Sequence, residues 1–466
     1  MQVSLDRHSG ERALVLVGGA VILALVVGYF QLVLTRPASI AGPIGVSAVV
    51  LALSVPIVIR TARRSDDPWA VWILSGSVMV KIVAALTRFY INNDLYGGLA
   101  DARAYHFAAS AIAPAFRDGI FSLAGSGVEG LPQETQAVAW VLGGVYALIG
   151  ASEAGGFIVF SWIGWLGLIA CYRAFRIAFP TVRSRTCMLL LFFLPSLAYW
   201  PSSPGKEALS DAALGLVLLG LAQLFRGRSV PWGVTSFLAG MTVILWVRPH
   251  VAMIVLVACT AALLVYRPGS GGARSVIGRL VIVALLLPAL FVGIGRVDKA
   301  FGADGEELSV ATVLEETRSS TSVGASAFET TPVDSPVDFP AAMVSVLLRP
   351  FPWEVHNFTM LLASVEGLLL LGLLLGHLDT VPRVFRVATR EPLGAFCAAF
   401  TIGFVIAFSN IGNAGILVRQ RTQLMPILVV LFAATARSIT APTSSPAGAD
   451  APADMHPTRA GWAVNR

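Results

Sequence analysis

Charge is what this chain has least of. Only 13% of its 466 residues are Asp, Glu, Lys or Arg, against about 25% in a soluble domain, while 56% are hydrophobic. That balance excludes an ordinary cytosolic enzyme and an intrinsically disordered chain. Cysteine is scarce as well. Cys171, Cys187, Cys259 and Cys397 fall in or beside apolar runs without metal-ligand spacing, so they read as inert buried thiols rather than a disulfide framework. Lysine is confined to Lys81, Lys206 and Lys299, so the net charge of +6 is carried by arginine. In a membrane protein such charge sets orientation, and no nucleic-acid partner follows from it. There is no Gly-rich nucleotide loop, no P-loop and no HExxH motif. A nucleotide-sugar donor held on a Rossmann domain is therefore disfavoured.

What the chain does have is long apolar runs. About 20 apolar residues cross a bilayer as a helix. The run 13–34 is too long for a signal-peptide core and reads as an uncleaved span. Further spans are expected at 40–59, 69–89, 154–172, 186–200, 208–225, 230–247, 250–266, 280–295, 357–377, 393–409 and 422–436. The fold class is all-α polytopic, with about 12 transmembrane helices. Arg60, Arg63 and Arg64, then Arg173, Arg176, Arg183 and Arg185, then Arg226 and Arg228, then Arg267, Arg274 and Arg279, then Arg383, Arg386 and Arg390 mark successive turns. All lie on one side if 136–149 does not cross but rests at the interface. Both termini are then cytoplasmic. Residues 1–439 form the membrane domain, and 440–466, rich in Pro, Ala and Ser, is expected to be a disordered tail.

The opposite face is expected to carry the loops 90–153, 199–207 and 296–356, and the costly charges gather there. The first holds Asp94, Asp101, Arg103, Tyr105 and His106. Asp101 and Tyr105 share one face of a helix, and Asp101 near the bilayer surface is placed either to accept a proton from an acceptor hydroxyl or to cap the helix. Lys206-Glu207 follows a Pro/Gly turn at a helix start, suited to an anionic headgroup, with Asp211 one turn deeper. Arg248, Arg349, Arg419 and Arg421 stand against the positive-inside trend, and their bidentate forks suit phosphate. His106, His250 and His356 fall on the same side without a recognisable metal spacing. Lys81, Arg88 and Glu366 are expected to pair inside the bundle.

With these residues in view, the chain resembles the GT-C superfamily of integral-membrane glycosyltransferases, and within it bacterial relatives of the dolichyl-phosphate-mannose mannosyltransferases. The resemblance runs over roughly 85–240. It rests on Asp101-Ala-Arg-Ala-Tyr105-His106, on the interfacial stretch Trp140 to Gly150-Ala-Ser-Glu153, on the basic turn beginning Tyr172-Arg-Ala-Phe-Arg, and on Pro195-Ser196 leading to Lys206-Glu207. It implies transfer of a sugar from a polyprenyl-phosphate-linked donor to a glycan, lipid or protein acceptor at the non-cytoplasmic face of a bacterial inner membrane, in cell-envelope glycan synthesis. Asp101 maps onto the family's catalytic base. Lys206, Arg248, Arg349, Arg419 and Arg421 would neutralise the donor phosphate, and loop 296–356 would gate the site. Many members carry a second acid close after the first, where this chain has Arg103. The one cofactor to consider is a divalent cation. Two alternatives stand beside this expectation: a polysaccharide polymerase or O-antigen-type ligase using polyprenyl-diphosphate-linked glycan, and a lipid-linked-sugar flippase or transporter.

Overall fold

In hydrocarbon a helix satisfies its own backbone, so apolar runs become helices and charge, proline and glycine decide where they stop. The computed structural model describes residues 38–98, 100–124, 127–266 and 327–436, with scattered positions between 277 and 321. The first half holds α1 (Ala38–Ala62), α2 (Ala70–Tyr90, prolonged by a π turn at Ile91–Leu95), α3 (Asp101–Arg117), α4 (Gln133–Ile149) and α5 (Glu153–Ala178). Then come α6 (Arg185–Phe193), α7 (Pro195–Tyr199), α8 (Lys206–Phe225), α9 (Val230–Val247) and α10 (Pro249–Val265). The last part holds α11 (Phe339–Leu348), α12 (Phe358–Gly376), α13 (Val381–Arg390), α14 (Pro392–Phe408), α15 (Ala414–Arg421) and α16 (Met425–Ala433). Among the described residues no strand forms beyond a single bridge between Ala327 and Asn413.

The chain is an all-α polytopic membrane protein. Among the described residues six helices are long and apolar enough to cross a membrane, or eight if two bent pairs each count as one span. The expected span at 13–34 lies outside the described residues; of 280–295, residues 280–284, 286, 288, 290 and 292 are described, and all are helical. The expected span 186–200 is broken at Leu194, where α6 gives way to α7. The expected span 422–436 is the second arm of a 49° bend between α15 and α16. The basic turn at Arg383, Arg386 and Arg390 is itself helix α13, which has no buried residue and meets α14 at 111°. Loop 296–356 is not wholly irregular, since α11 lies within it.

The core is centred on α5 and α8, with α2 and α9 packed on their flanks. Small residues let these backbones approach, as expected where apolar side chains gain nothing by leaving lipid. A Cβ placed on Gly215 of α8 would collide with the carbonyl of Gly167 on α5. One on Gly240 of α9 would lie 2.5 Å from the carbonyl of Ala213. Elsewhere size fills the space: Phe396, Phe400, Phe404 and Phe408 stack along one face of α14, one turn apart in each case.

The break between α6 and α8 leaves buried backbone groups that must find partners. Charged side chains from other helices supply them. At the N-terminal end of α7, the Ser196 N–H donates to Glu366 Oε2 of α12. At its C-terminal end, Lys81 Nζ donates to Leu197 O (2.6 Å), and Arg88 Nη1 to Trp200 O (2.6 Å) and Tyr199 O (3.4 Å). An acid at the start and bases at the end match the sign of the helix dipole. Arg88 also lies over the rings of Tyr199 and Trp200, 5.0 and 4.9 Å from their centroids. The expected mutual pairing of Lys81, Arg88 and Glu366 is thus corrected. Glu366 Oε1 faces Arg421 Nη2 at 3.9 Å, while the two cations serve backbone carbonyls. Sequence records the charges but not the exposed carbonyls they must satisfy.

Candidate functional site

Glu207 begins the site. It sits in the first turn of α8, where the helix dipole favours a carboxylate, and it is only 2% exposed. Its Oε1 accepts from Arg248 Nη2 at 3.0 Å and from Arg419 Nε at 3.3 Å, while Oε2 is buried without a hydrogen-bond partner. Arg248 stands at the junction of α9 and α10 and is buried. Its Nη1 donates to Gln420 Oε1, which also accepts from Gln423 Nε2 at 2.8 Å. Arg419 comes from α15, a helix started by Asn413, whose Oδ1 accepts from Gly415 N (3.0 Å) and Ile416 N (3.2 Å).

Arg419 carries the chain of charges outward. Its Nη2 lies 3.1 Å from Asp101 Oδ2. The Asp101 side chain is 61% exposed and that of Arg419 35%. Asp101 is the first residue of α3, and the residue in the capping position is Ala100. The carboxylate reaches across to α15 instead of capping its own helix. Tyr105, one turn along, is buried, and burial raises the pKa of its phenol, with the Asp101 and Glu207 charges adding to the rise. Next to it, His106 Nδ1 lies 2.8 Å from the Tyr146 hydroxyl on α4. Burial lowers the His106 pKa below its ordinary value, Glu153 opposing and Arg103 reinforcing the shift.

Helices α3 and α4 pack antiparallel as one unit at this end of the bundle: His106 faces Tyr146 and Phe116 faces Trp140. Trp140 in turn meets Trp246 of α9, ring centroids 5.7 Å apart. Helix α4 covers the expected non-crossing segment 136–149 and is not among the helices long enough to span. Its Glu134 pairs with Lys206 at 3.4 Å, so Lys206 is turned toward α4 and not toward Glu207.

The other expected site residues lie apart from this cluster. Arg421 is fully buried, donating through Nη1 to Leu347 O (2.5 Å) and Arg349 O (2.9 Å) beside Glu366. Arg349 pairs with Glu354 at 3.4 Å, donates to Glu329 O, and lies 4.2 Å from the Phe328 ring centroid. Arg421 thus ties α15 to α11 and α12, while the Arg349 side chain is committed to the segments on either side of α11. Asp94 is exposed on the π turn. His356 is exposed, and among the described residues it makes no hydrogen bond or ion pair. His250 packs its ring near Phe408, centroids 5.9 Å apart. Asp211 is fully buried one turn below Glu207, both carboxylate oxygens lacking a hydrogen-bond partner.

Gln420 and Glu134 belong to the site but not to the expected set. Nothing in an uncharged Gln between two arginines marks it in sequence, and Glu134 reads as an ordinary first-turn acid. A divalent cation does not fit these donors. Asp101 and Glu207 share Arg419 between them, and among the described residues no three His, Cys, Asp or Glu side chains gather as a ligand set.

Chemically, the site offers an exposed carboxylate beside a half-exposed guanidinium. The guanidinium is anchored from below by a buried carboxylate that a second arginine holds. Comparison with protein-family models, with curated proteins and with solved structures finds no match to this chain.

Proposed function

We propose that the chain is a membrane glycosyltransferase that moves a sugar from a polyprenyl-phosphate-linked donor to an acceptor hydroxyl at the Asp101 end of the bundle. The observation that carries this reading is the ion-pair series Asp101–Arg419–Glu207–Arg248, which sets a base and an anion-binding group 3.1 Å apart at the surface. Arg419 is the donor-phosphate ligand. A phosphate competes with Asp101 for its Nη2, so donor binding frees the Asp101 carboxylate. Asp101 then takes the acceptor's hydroxyl proton as the oxygen attacks the anomeric carbon. The bond to the lipid phosphate breaks, and Arg419 balances the charge that develops on the leaving oxygen. Glu207 and Arg248 position Arg419 and do not touch substrate. Residues 327–328 are fastened to the start of α15, with Phe328 N donating to Gly412 O at 2.8 Å. These two residues of the expected gating loop therefore sit at the start of the helix that carries Arg419. By the positive-inside rule this end faces away from the cytoplasm of an inner membrane.

The test is transfer in nanodiscs from labelled polyprenyl-phosphate and polyprenyl-diphosphate sugars, comparing the unaltered chain with Asp101→Asn. Loss of a general base costs about 10²- to 10⁴-fold in rate, so the variant should fall by that amount and still fold. Undiminished turnover in Asp101→Asn would falsify the assignment of the base. Joining of whole repeat units from a diphosphate donor would identify a polymerase or ligase instead. A second reading is favoured by one observation: Asp211, fully buried without a hydrogen-bond partner, is the kind of group that marks transport paths. Labelled lipid that changes leaflet without bond formation would establish that reading.

A further inference from the structure

A second feature, a cavity, lies at the other end of the molecule. It has a volume of about 990 Å³. Five arginines line it: Arg60 and Arg64 at the end of α1, Arg173 and Arg176 on α5, and Arg228 between α8 and α9. No Asp or Glu does. Arg176 alone among them has a carboxylate partner, Asp66 Oδ1 at 3.0 Å, and its Nε is buried without a hydrogen-bond partner. The guanidinium groups of Arg60, Arg64, Arg173 and Arg228 make no hydrogen bond or ion pair among the described residues. Like charges so gathered repel one another, and the repulsion is strongest where water is partly excluded.

Ile57, Ile177, Leu216 and Leu219 contribute apolar lining alongside the arginines and Trp232, which is 70% exposed. Exposed Trp at a helix end is characteristic of the headgroup level of a bilayer. The base of the cavity is built and held. The Tyr172 hydroxyl lies 2.8 Å from Ser65 Oγ and 3.1 Å from Ser184 Oγ, and Ser184 Oγ donates to Asp66 Oδ1. Along α8, Glu207 and Gln223 are separated by roughly 24 Å of helix, so this cavity and the Asp101 site are separate.

We infer that this cavity binds a membrane lipid with a phosphate-bearing anionic headgroup, the phosphate taken by the arginine cluster and the acyl chains laid along the apolar lining. Guanidinium forks match phosphate oxygens in pairs, and basic pockets between transmembrane helices are suited to such headgroups. The inference does not depend on the transfer reaction proposed above.

The experiment uses the full chain, purified and delipidated in detergent, with native mass spectrometry and thermal unfolding as readouts. Phosphatidylglycerol, phosphatidylcholine and inorganic phosphate are titrated separately. We expect retained phosphatidylglycerol adducts and a raised Tm, little effect of phosphatidylcholine, and none of inorganic phosphate. Arg64→Gln/Arg173→Gln should weaken phosphatidylglycerol binding at least about tenfold, the loss of one charge-assisted pair. Arg386→Gln, on exposed α13, should not. Equal binding of the two lipids would show no selection for an anionic headgroup, and equal loss in Arg386→Gln would show general charge attraction; either would overturn the site. Inorganic phosphate binding as tightly as the lipid would assign the arginines to a soluble phosphate compound and overturn the lipid. The lipid comparison on the unaltered chain stands even if the double variant does not fold.

Discussion

Glu207 holds two arginines with one oxygen, and its burial sets the cost of disturbing them. Removing one partner of a buried ion pair costs about 3–5 kcal/mol, because the other charge is left uncompensated. Arg248→Ala leaves Glu207 its contact with Arg419, so it should lower the unfolding free energy by no more than the lower end of that range, and Glu207→Gln in the same chain should restore part of it. A double-mutant cycle by thermal unfolding in detergent reads the coupling, and simple additivity would exclude it. His106 supplies a second test. Its pKa in the folded chain lies below the ordinary 6.5, mainly through burial. The unfolded chain thus binds the proton first as pH falls. The stability that goes with neutral His106 is complete above pH 6.5 and is lost as pH drops through the folded value. Melting temperature should fall between pH 7 and 5, and His106→Gln should flatten that fall. Residue types at the site are legible in sequence, since Asp101, Glu207, Arg248 and Arg419 all stand out as charges at span ends. Their pairing is not: arginine reads as a phosphate ligand until a buried carboxylate is found between two of them. Depth is equally hidden, for Arg421 and Arg419 are two residues apart, one fully buried and the other facing the surface.

Among the helices, the α5–α8 contact depends on what is missing from Gly215. Exchanging Gly for Ala in a helix interior ordinarily gains up to about 1 kcal/mol. Gly372 on α12, with nothing near its absent Cβ, should follow that rule. At Gly215 the sign should reverse, with a loss of about 1–3 kcal/mol from overpacking against the Gly167 carbonyl. Paired melting curves of Gly215→Ala and Gly372→Ala make the comparison, and equal shifts would remove backbone contact as the cause. Helix limits are legible where local chemistry marks them. Span 230–247 follows Ser229 and begins Val-Pro, and span 357–377 opens on the Asn357 cap, whose Oδ1 accepts from Met360 N at 2.9 Å. Limits inside an apolar run are less legible. Pro195 signals a break within 186–200, but apolarity on both sides outweighs a single residue. The bend at 422–424 carries no proline or glycine at all.

At the scale of the molecule, charge gathers at two ends: the Asp101–Arg419 pair at one, an arginine-lined cavity at the other. The four native cysteines are buried, so a membrane-impermeant thiol reagent reads only those introduced. Asp118→Cys and Arg183→Cys, both at exposed positions, should label from opposite sides of sealed vesicles. Labelling of both from one side would refute the placement of α3 and α4 at the end remote from the basic turns. The all-α membrane class is legible because 13% charge excludes an ordinary soluble chain and apolar runs of about 20 residues select helices over a barrel. The number of crossings is less so, since a bent pair and a straight span contain similar residues.

The charges that frame α7 also impose an order on biogenesis. Lys81 and Arg88 are synthesised before the segment they serve, and Glu366 long after it. At 5–20 residues per second, roughly 9 to 34 seconds separate Ser196 from Glu366. During that interval Ser196 and its neighbours have no acid to receive them, and the two cations face an unfinished partner. Insertion cannot proceed helix by helix as independent units here. The growing chain must hold α2, α6 and α7 in a sheltered, partly hydrated arrangement until α12 arrives. Chains cut short before α12 should accordingly be targets for quality-control proteolysis rather than stable half-proteins.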